Sequence, residues 1–258
     1  MNQVSTQELA RWLDATLQPQ RFRDYCPNGL QVEGSDTITH IITGVTASYA
    51  LIEAAVAKKA DAVLVHHGWF WKNEDPCIRG PKRARLALAL SHGLNLYAYH
   101  LPLDAHPTLG NNAQLARVLG FEPLLDETGQ PQTCGPEGLV WLGGPGSSAT
   151  LQDLATHVCN TLHREPLIVG NPQQKLQRIA WCTGAAQGMI EAATAAGAQA
   201  YITGEASEQT YHWARETGTG FIAAGHHATE RYGIQALGHA VAREFGIEVE
   251  FVDLDNPI

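Results

Sequence analysis

Short apolar runs rich in β-branched residues alternate along this chain with alanine-rich segments of helical periodicity, and that alternation leaves few folds open. HIITGV at residues 40–45, ASYALIEAAVAKKA at 47–60 and DAVLVHHG at 61–68 read as strand, helix, strand. RARLALALSHG and NLYAYH continue the series with another helix and strand. Strands joined by helical crossovers pair in parallel and are covered on both faces, which is why their sequences are almost continuously apolar. The expected fold class is therefore α/β.

The same grammar returns in RIAWCTGAAQGMIEAATAAGAQAYITGE, residues 178–205. Thr43-Gly44 corresponds to Thr183-Gly184, Ile52-Glu53-Ala54-Ala55 to Ile190-Glu191-Ala192-Ala193, and NLYAYH to GFIAAGH. Identical short strings at matched offsets imply two similar α/β halves related by an internal repeat. Between them, residues 126–150 are rich in Gly, Pro and Ser, and GLVWLGG, LQDLATHVCNTLH and PLIVG read as a small strand, helix, strand insert. The expected division is 1–125 for the first half, 126–175 for linker and insert, and 176–258 for the second half.

Composition narrows the function. The formal net charge of −9 argues against a nucleic-acid binder, which needs a basic surface to contact phosphates. The local cluster Arg79, Lys82, Arg83 and Arg85 reads as a solvated helix start after Pro81. No apolar run is long enough for a membrane span and the first residues carry no secretory pattern, so a cytoplasmic protein is expected. Five scattered cysteines with no C-x-x-C pair read as reduced and structural. Phosphate loops, nucleotide fingerprints and the G-x-S-x-G nucleophile elbow are absent from the sequence.

The chemistry concentrates at strand ends, where ligands of open α/β sheets gather. His66 and His67 close the run VLVHHG, and Gly68 allows a bend that turns both imidazoles to one side. His226 and Glu230 follow FIAA at i, i+4 spacing, which stacks them on one helical face. His100 and Asp104 follow NLYAY at the same spacing. A strand, a histidine, three residues and an acid thus occur once per half, an arrangement of imidazole and carboxylate that suits divalent metal ions in a cleft at the strand C-termini. Glu230 or Asp104 is the natural bridging carboxylate. Asn28 and Gly29 read as a turn near this cleft, Glu205 as a neighbour of the ligands, His227 as a surface or core histidine, and Asn111 or Asn112 as a helix N-cap.

PNGLQVEG, ADAVLVHHG, HLPLDAHPTLGNNAQLA, ITGEASEQT and AAGHHATER resemble the YbgI family, whose members are often labelled type 2 homologues of GTP cyclohydrolase I. The resemblance runs nearly end to end. It implies a dinuclear metal centre held by His66, His67, Asp104, His226 and Glu230, with His100 beside the centre in proton transfer or ligand orientation, and a homohexameric ring. It does not choose among zinc, iron, manganese and nickel. The function implied is a metal-dependent hydrolase acting on a small molecule, GTP or a related nucleotide or a cyclic amide. The alternative is a ring that binds or handles metal in a regulatory role without turnover.

Overall fold

Ser5 ends a two-residue strand, β1 (Val4–Ser5), and caps helix α1 (Thr6–Leu17), its hydroxyl accepting the Glu8 amide at 3.2 Å. The computed structural model describes residues 2–258. After α1 come β2 (Gly29–Val32), β3 (Thr37–Ile38), β4 (His40–Thr46), α2 (Tyr49–Ala57), β5 (Ala62–His67), α3 (Gly80–Ser91), β6 (Asn95–Ala98) and α4 (Leu101–Ala105). They are followed by α5 (Asn111–Leu119), β7 (Glu122–Pro123), β8 (Thr133–Cys134), β9 (Val140–Gly144), α6 (Leu151–Leu162) and β10 (Leu167–Val169). The last elements are β11 (Ile179–Trp181), α7 (Ile190–Ala195), β12 (Ala200–Thr203), α8 (Glu208–Thr217), β13 (Gly220–Ala223), α9 (His226–Phe245) and β14 (Glu248–Phe251). Among the described residues no helix is long and apolar enough to cross a membrane.

The chain divides into two compact units. One takes the residues up to Leu103 and Gly233–Asp255; the other takes Asp104–Tyr232 and Asn256–Ile258. These limits differ from a division at 125 and 175, because β14 returns to the first unit and residues 104–125 belong to the second.

In the first unit the sheet order is β14-β4-β5-β6-β2, with β14, β4, β5 and β6 parallel and β2 antiparallel to β6. Ile42, Val63, Val65 and Leu96 pack with Leu51, Ile52 and Ala55 of α2 and with Leu86 and Ala89 of α3. Fully buried side chains such as Leu51 and Ile52 contribute about 1.5–3 kcal/mol each. A side chain at Gly44 would collide with Leu51, so the glycine lets helix and strand approach.

In the second unit the order is β10-β13-β12-β11-β9-β7, with β8 paired to β9. β11, β12 and β13 run parallel; β9 and β10 pair antiparallel to β11 and β13. The expected separate insert is not one. β9 and β10 are strands of this same sheet, and Leu154, Ala155 and Val158 of α6 share one core with Trp181, Ile202 and Ile222. The Gly- and Pro-rich punctuation marks turns within the unit, not a boundary. Each unit thus carries a parallel β-α-β-α-β run, β4 to β6 in one and β11 to β13 in the other, and each candidate histidine lies at or just past the C-terminal end of a strand in that run.

The basic cluster opens α3 as expected, and two of its four charges have acidic neighbours. Arg79 pairs with Asp75 at 2.6 Å and Lys82 with Glu74 at 3.4 Å.

Candidate metal centre

In the first unit, β5 ends on His66 and His67 and β6 runs out two residues before His100. The three imidazoles cluster, with ring centroids 4.4 Å apart for His66 and His67, 5.1 Å for His66 and His100, and 5.7 Å for His67 and His100. One ring nitrogen from each lies within 4.8 Å of the others, close enough to share a metal environment. Hydrogen bonds fix which nitrogen each ring has to offer. His66 Nδ1 donates to the Tyr99 carbonyl at 3.0 Å, His67 Nδ1 pairs with the Thr46 hydroxyl at 3.1 Å, and His100 Nδ1 donates to Asp24 Oδ1 at 2.7 Å. Nδ1 is engaged by an oxygen in all three, as it is in metal-bound histidines, where that contact fixes the tautomer and the ring orientation.

Asp24 was not legible in the sequence, yet it organises this face. Its buried carboxylate also accepts from the Asn28 amide at 2.9 Å, the Leu101 backbone at 2.9 Å and the Tyr25 backbone at 2.6 Å. Burial opposes the charge, but His100, Asn28 and the Tyr25 amide together hold Asp24 below the ordinary carboxylate range. Asn28 returns the favour by accepting the His100 backbone amide at 2.7 Å, and Gly29 supplies φ 105° at the start of β2. The PNGL turn is therefore the mount for His100. Nearby Cys26 is held as a thiol, its pKa pushed up to about 12 by burial and by Asp24.

In the second unit, Asp104 is buried and its Oδ1 accepts from Asn111 at 2.8 Å and from the Thr183 hydroxyl at 3.2 Å. Asn112 accepts the Thr183 amide at 3.1 Å and donates to the Leu139 carbonyl at 2.9 Å. The asparagines are thus buried anchors and not helix caps; Gly110 occupies the N-cap of α5. His226 opens α9 and sits between two carboxylates, Nδ1 2.6 Å from Glu205 Oε1 and Nε2 3.1 Å from Glu230 Oε2. Gly184, at φ 69°, lies so close to Glu230 that a Cβ would strike the carboxylate, so the glycine forms a cradle for it. His227 is buried. The donors on these two faces are imidazole nitrogens and carboxylate oxygens, a set that suits borderline divalent ions.

Burial works against a charged His226, but Glu230 and Glu205 outweigh it and lift the ring to about 9. The metal-free ring is therefore protonated at pH 7, and a cation taking Nε2 must displace that proton. Metal affinity is expected to rise about tenfold per pH unit from pH 7 and to level off near 9. Without metal the sign reverses. A raised histidine pKa contributes stability that is full below the unfolded value of about 6.5 and is lost as pH rises through 9. Chelator competition at several pH values reads the first effect. Glu205→Gln should move the plateau to lower pH, and a flat affinity between pH 7 and 9 would exclude His226 Nε2 as a ligand.

Residues 4–257 match the model of a family described as Duf34/NIF3 (NGG1p interacting factor 3). A Pseudomonas aeruginosa relative named GTP cyclohydrolase 1 type 2 homolog is 55% identical over 254 residues, covering 97% of this chain and 96% of its own. One of the same name from Allochromatium vinosum is 52% identical over the full length of both chains. A solved structure described as protein ybgI, of unknown function, superposes with a TM-score of 0.92 at 48% identity, covering 99% of this chain and 100% of its own.

Proposed function

Since this chain belongs to the Duf34/NIF3 family, we propose that it is a hydrolase dependent on divalent metal, with two ions held by His66, His67, Asp104, His226 and Glu230. The observation that carries the reading is the orientation of the histidines. Each candidate histidine has Nδ1 engaged by an oxygen, and His226 Nε2 lies 3.1 Å from Glu230 Oε2. When bound, such ions supply Lewis acidity and lower the pKa of water.

The chain's own residues supply orientation and a proton path. Glu205 holds the His226 ring through Nδ1, and Asn111 with Thr183 fixes the Asp104 carboxylate. Asp24 keeps the His100 proton on Nδ1, which leaves Nε2 basic and able to take the proton that an attacking water sheds. The name shared by the relatives suggests GTP or a related nucleotide as the substrate class; a phosphate ester or a cyclic amide suits the same chemistry equally well. The five free cysteines support a reducing compartment, the cytoplasm. A homohexameric ring is part of the same proposal, by resemblance to the YbgI family, and light scattering tests it.

The experiment is elemental analysis of the purified protein, then a screen of GTP, other nucleotides, phosphate esters and cyclic amides with zinc, iron, manganese or nickel restored. Turnover should vanish on chelation and return with metal. It should fall on the order of 10²–10⁴-fold in His100→Ala, the span of a lost general base. Bound metal without turnover in any class would overturn the hydrolase and leave a metal-handling protein.

A further inference from the structure

The segment after β5, residues 69–73, holds its backbone in a shape that ordinary residues resist. Phe70 at φ 65° and Asn73 at φ 76° flank Trp71, and a bulky residue such as Phe is rare in that region. Three hydrogen bonds keep the segment in place. Trp69 N donates to Gln31 Oε1 at 2.7 Å, Trp71 Nε1 donates to the Gly68 carbonyl at 3.2 Å, and Lys72 N donates to the Tyr25 carbonyl at 2.6 Å.

Their result is the placement of two rings. The Trp71 indole stands 5.0 Å from His100 at 83° and 6.0 Å from His67, and the Tyr25 ring lies 6.4 Å from His100. Trp69 and Phe70 pack with the core of the first unit, whereas Trp71 and Tyr25 are not part of it. Trp71 is half-buried and Tyr25 is 60% exposed. Despite these ring contacts, the half-buried indole and the mostly exposed phenol keep aromatic surface open beside the imidazole cluster.

We propose that Trp71 and Tyr25 form a binding wall, beside His66, His67 and His100, for a planar nitrogen heterocycle of nucleobase type. Open indole and phenol faces suit such a ring, because a nucleobase offers a flat π face that stacks on an aromatic side chain. That the ring belongs to a substrate rests on the hydrolase reading. That it binds here does not.

The test uses the full-length, metal-replete protein and calorimetric titration with the 5′-monophosphates of guanosine, adenosine, cytidine and uridine, with ribose 5-phosphate as the control lacking a base. At least one nucleotide should bind more tightly than ribose 5-phosphate by tenfold or more. Trp71→Ala should weaken it on the order of ten- to a hundredfold and leave ribose 5-phosphate unchanged. Trp71→Phe should recover most of the loss. Tyr25→Ala, at an exposed position, should act in the same direction with less effect. Metal content should stay constant in all variants. The proposal is overturned if no nucleotide exceeds ribose 5-phosphate, or if Trp71→Ala binds as the parent does. It is also overturned if Trp71→Ala loses metal, since the indole would then only position the neighbouring His67. Nucleotide binding that depends on Trp71, without turnover, would keep the wall and remove the hydrolase; turnover accompanied by nucleotide binding untouched by Trp71→Ala would do the opposite.

Discussion

Glu230→Gln is expected to remove both metal ions at once. Glu230 is buried, lies one helical turn after His226, and places Oε2 3.1 Å from His226 Nε2. The substitution keeps the shape of the side chain and deletes its charge, so a bridging role predicts loss from two ions and not from one. Residues that only orient a ligand typically change affinity ten- to a hundredfold. A shared carboxylate ligand should cost on the order of a hundredfold or more for both ions. Elemental analysis after dialysis against a defined free metal concentration reads the result. His227→Ala is the control and should retain both ions. One ion kept and one lost in Glu230→Gln would make the carboxylate a terminal ligand, and two ions kept would remove it from the centre.

The strands that carry the candidate ligands were legible because parallel strands buried on both faces leave unbroken apolar runs, and because His66, His67, His100 and His226 sit where those runs end. The order of strands was not legible. β14 pairs with β4 about two hundred residues away, and β9 and β10 join the sheet of β11 to β13, through backbone hydrogen bonds that no side-chain pattern records. The same limit explains Asp24. In a polar segment before Pro27 it looks like an ordinary solvated acid, and its role depends on His100, 76 residues further on. Asn111 and Asn112 misled for a local reason. Asparagine before an apolar helical stretch favours an N-cap, but here Gly110 takes the cap and both amides turn inward to Asp104 and the Thr183 backbone. Glu205 was visible as a strand-end acid; that it holds His226 Nδ1 needed the structure.

The second large effect concerns the five proposed ligands as one set. His66 and His67 belong to the first unit, whereas Asp104, His226 and Glu230 belong to the second. If all five serve the same ions, neither group suffices for tight binding, and the loss of one should abolish what the other contributes. Ligand that favours the native state stabilises it by mass action, about 2.7 kcal/mol at a hundred times Kd and 4.1 at a thousand times. For a chain of this size that amounts to a rise in Tm of roughly 5 to 15 °C. The parent protein should show this rise on adding metal and lose it with chelator. The double variant His66→Ala with His67→Ala should lose most of the rise, although Asp104, His226 and Glu230 are untouched. Melting curves must be taken at fixed protein concentration, since the stability of an assembled protein depends on it. An undiminished rise in the double variant would mean that the residues of the second unit bind metal by themselves. His66 and His67 would then leave the ligand set, and the three-imidazole face with His100 would be a separate site.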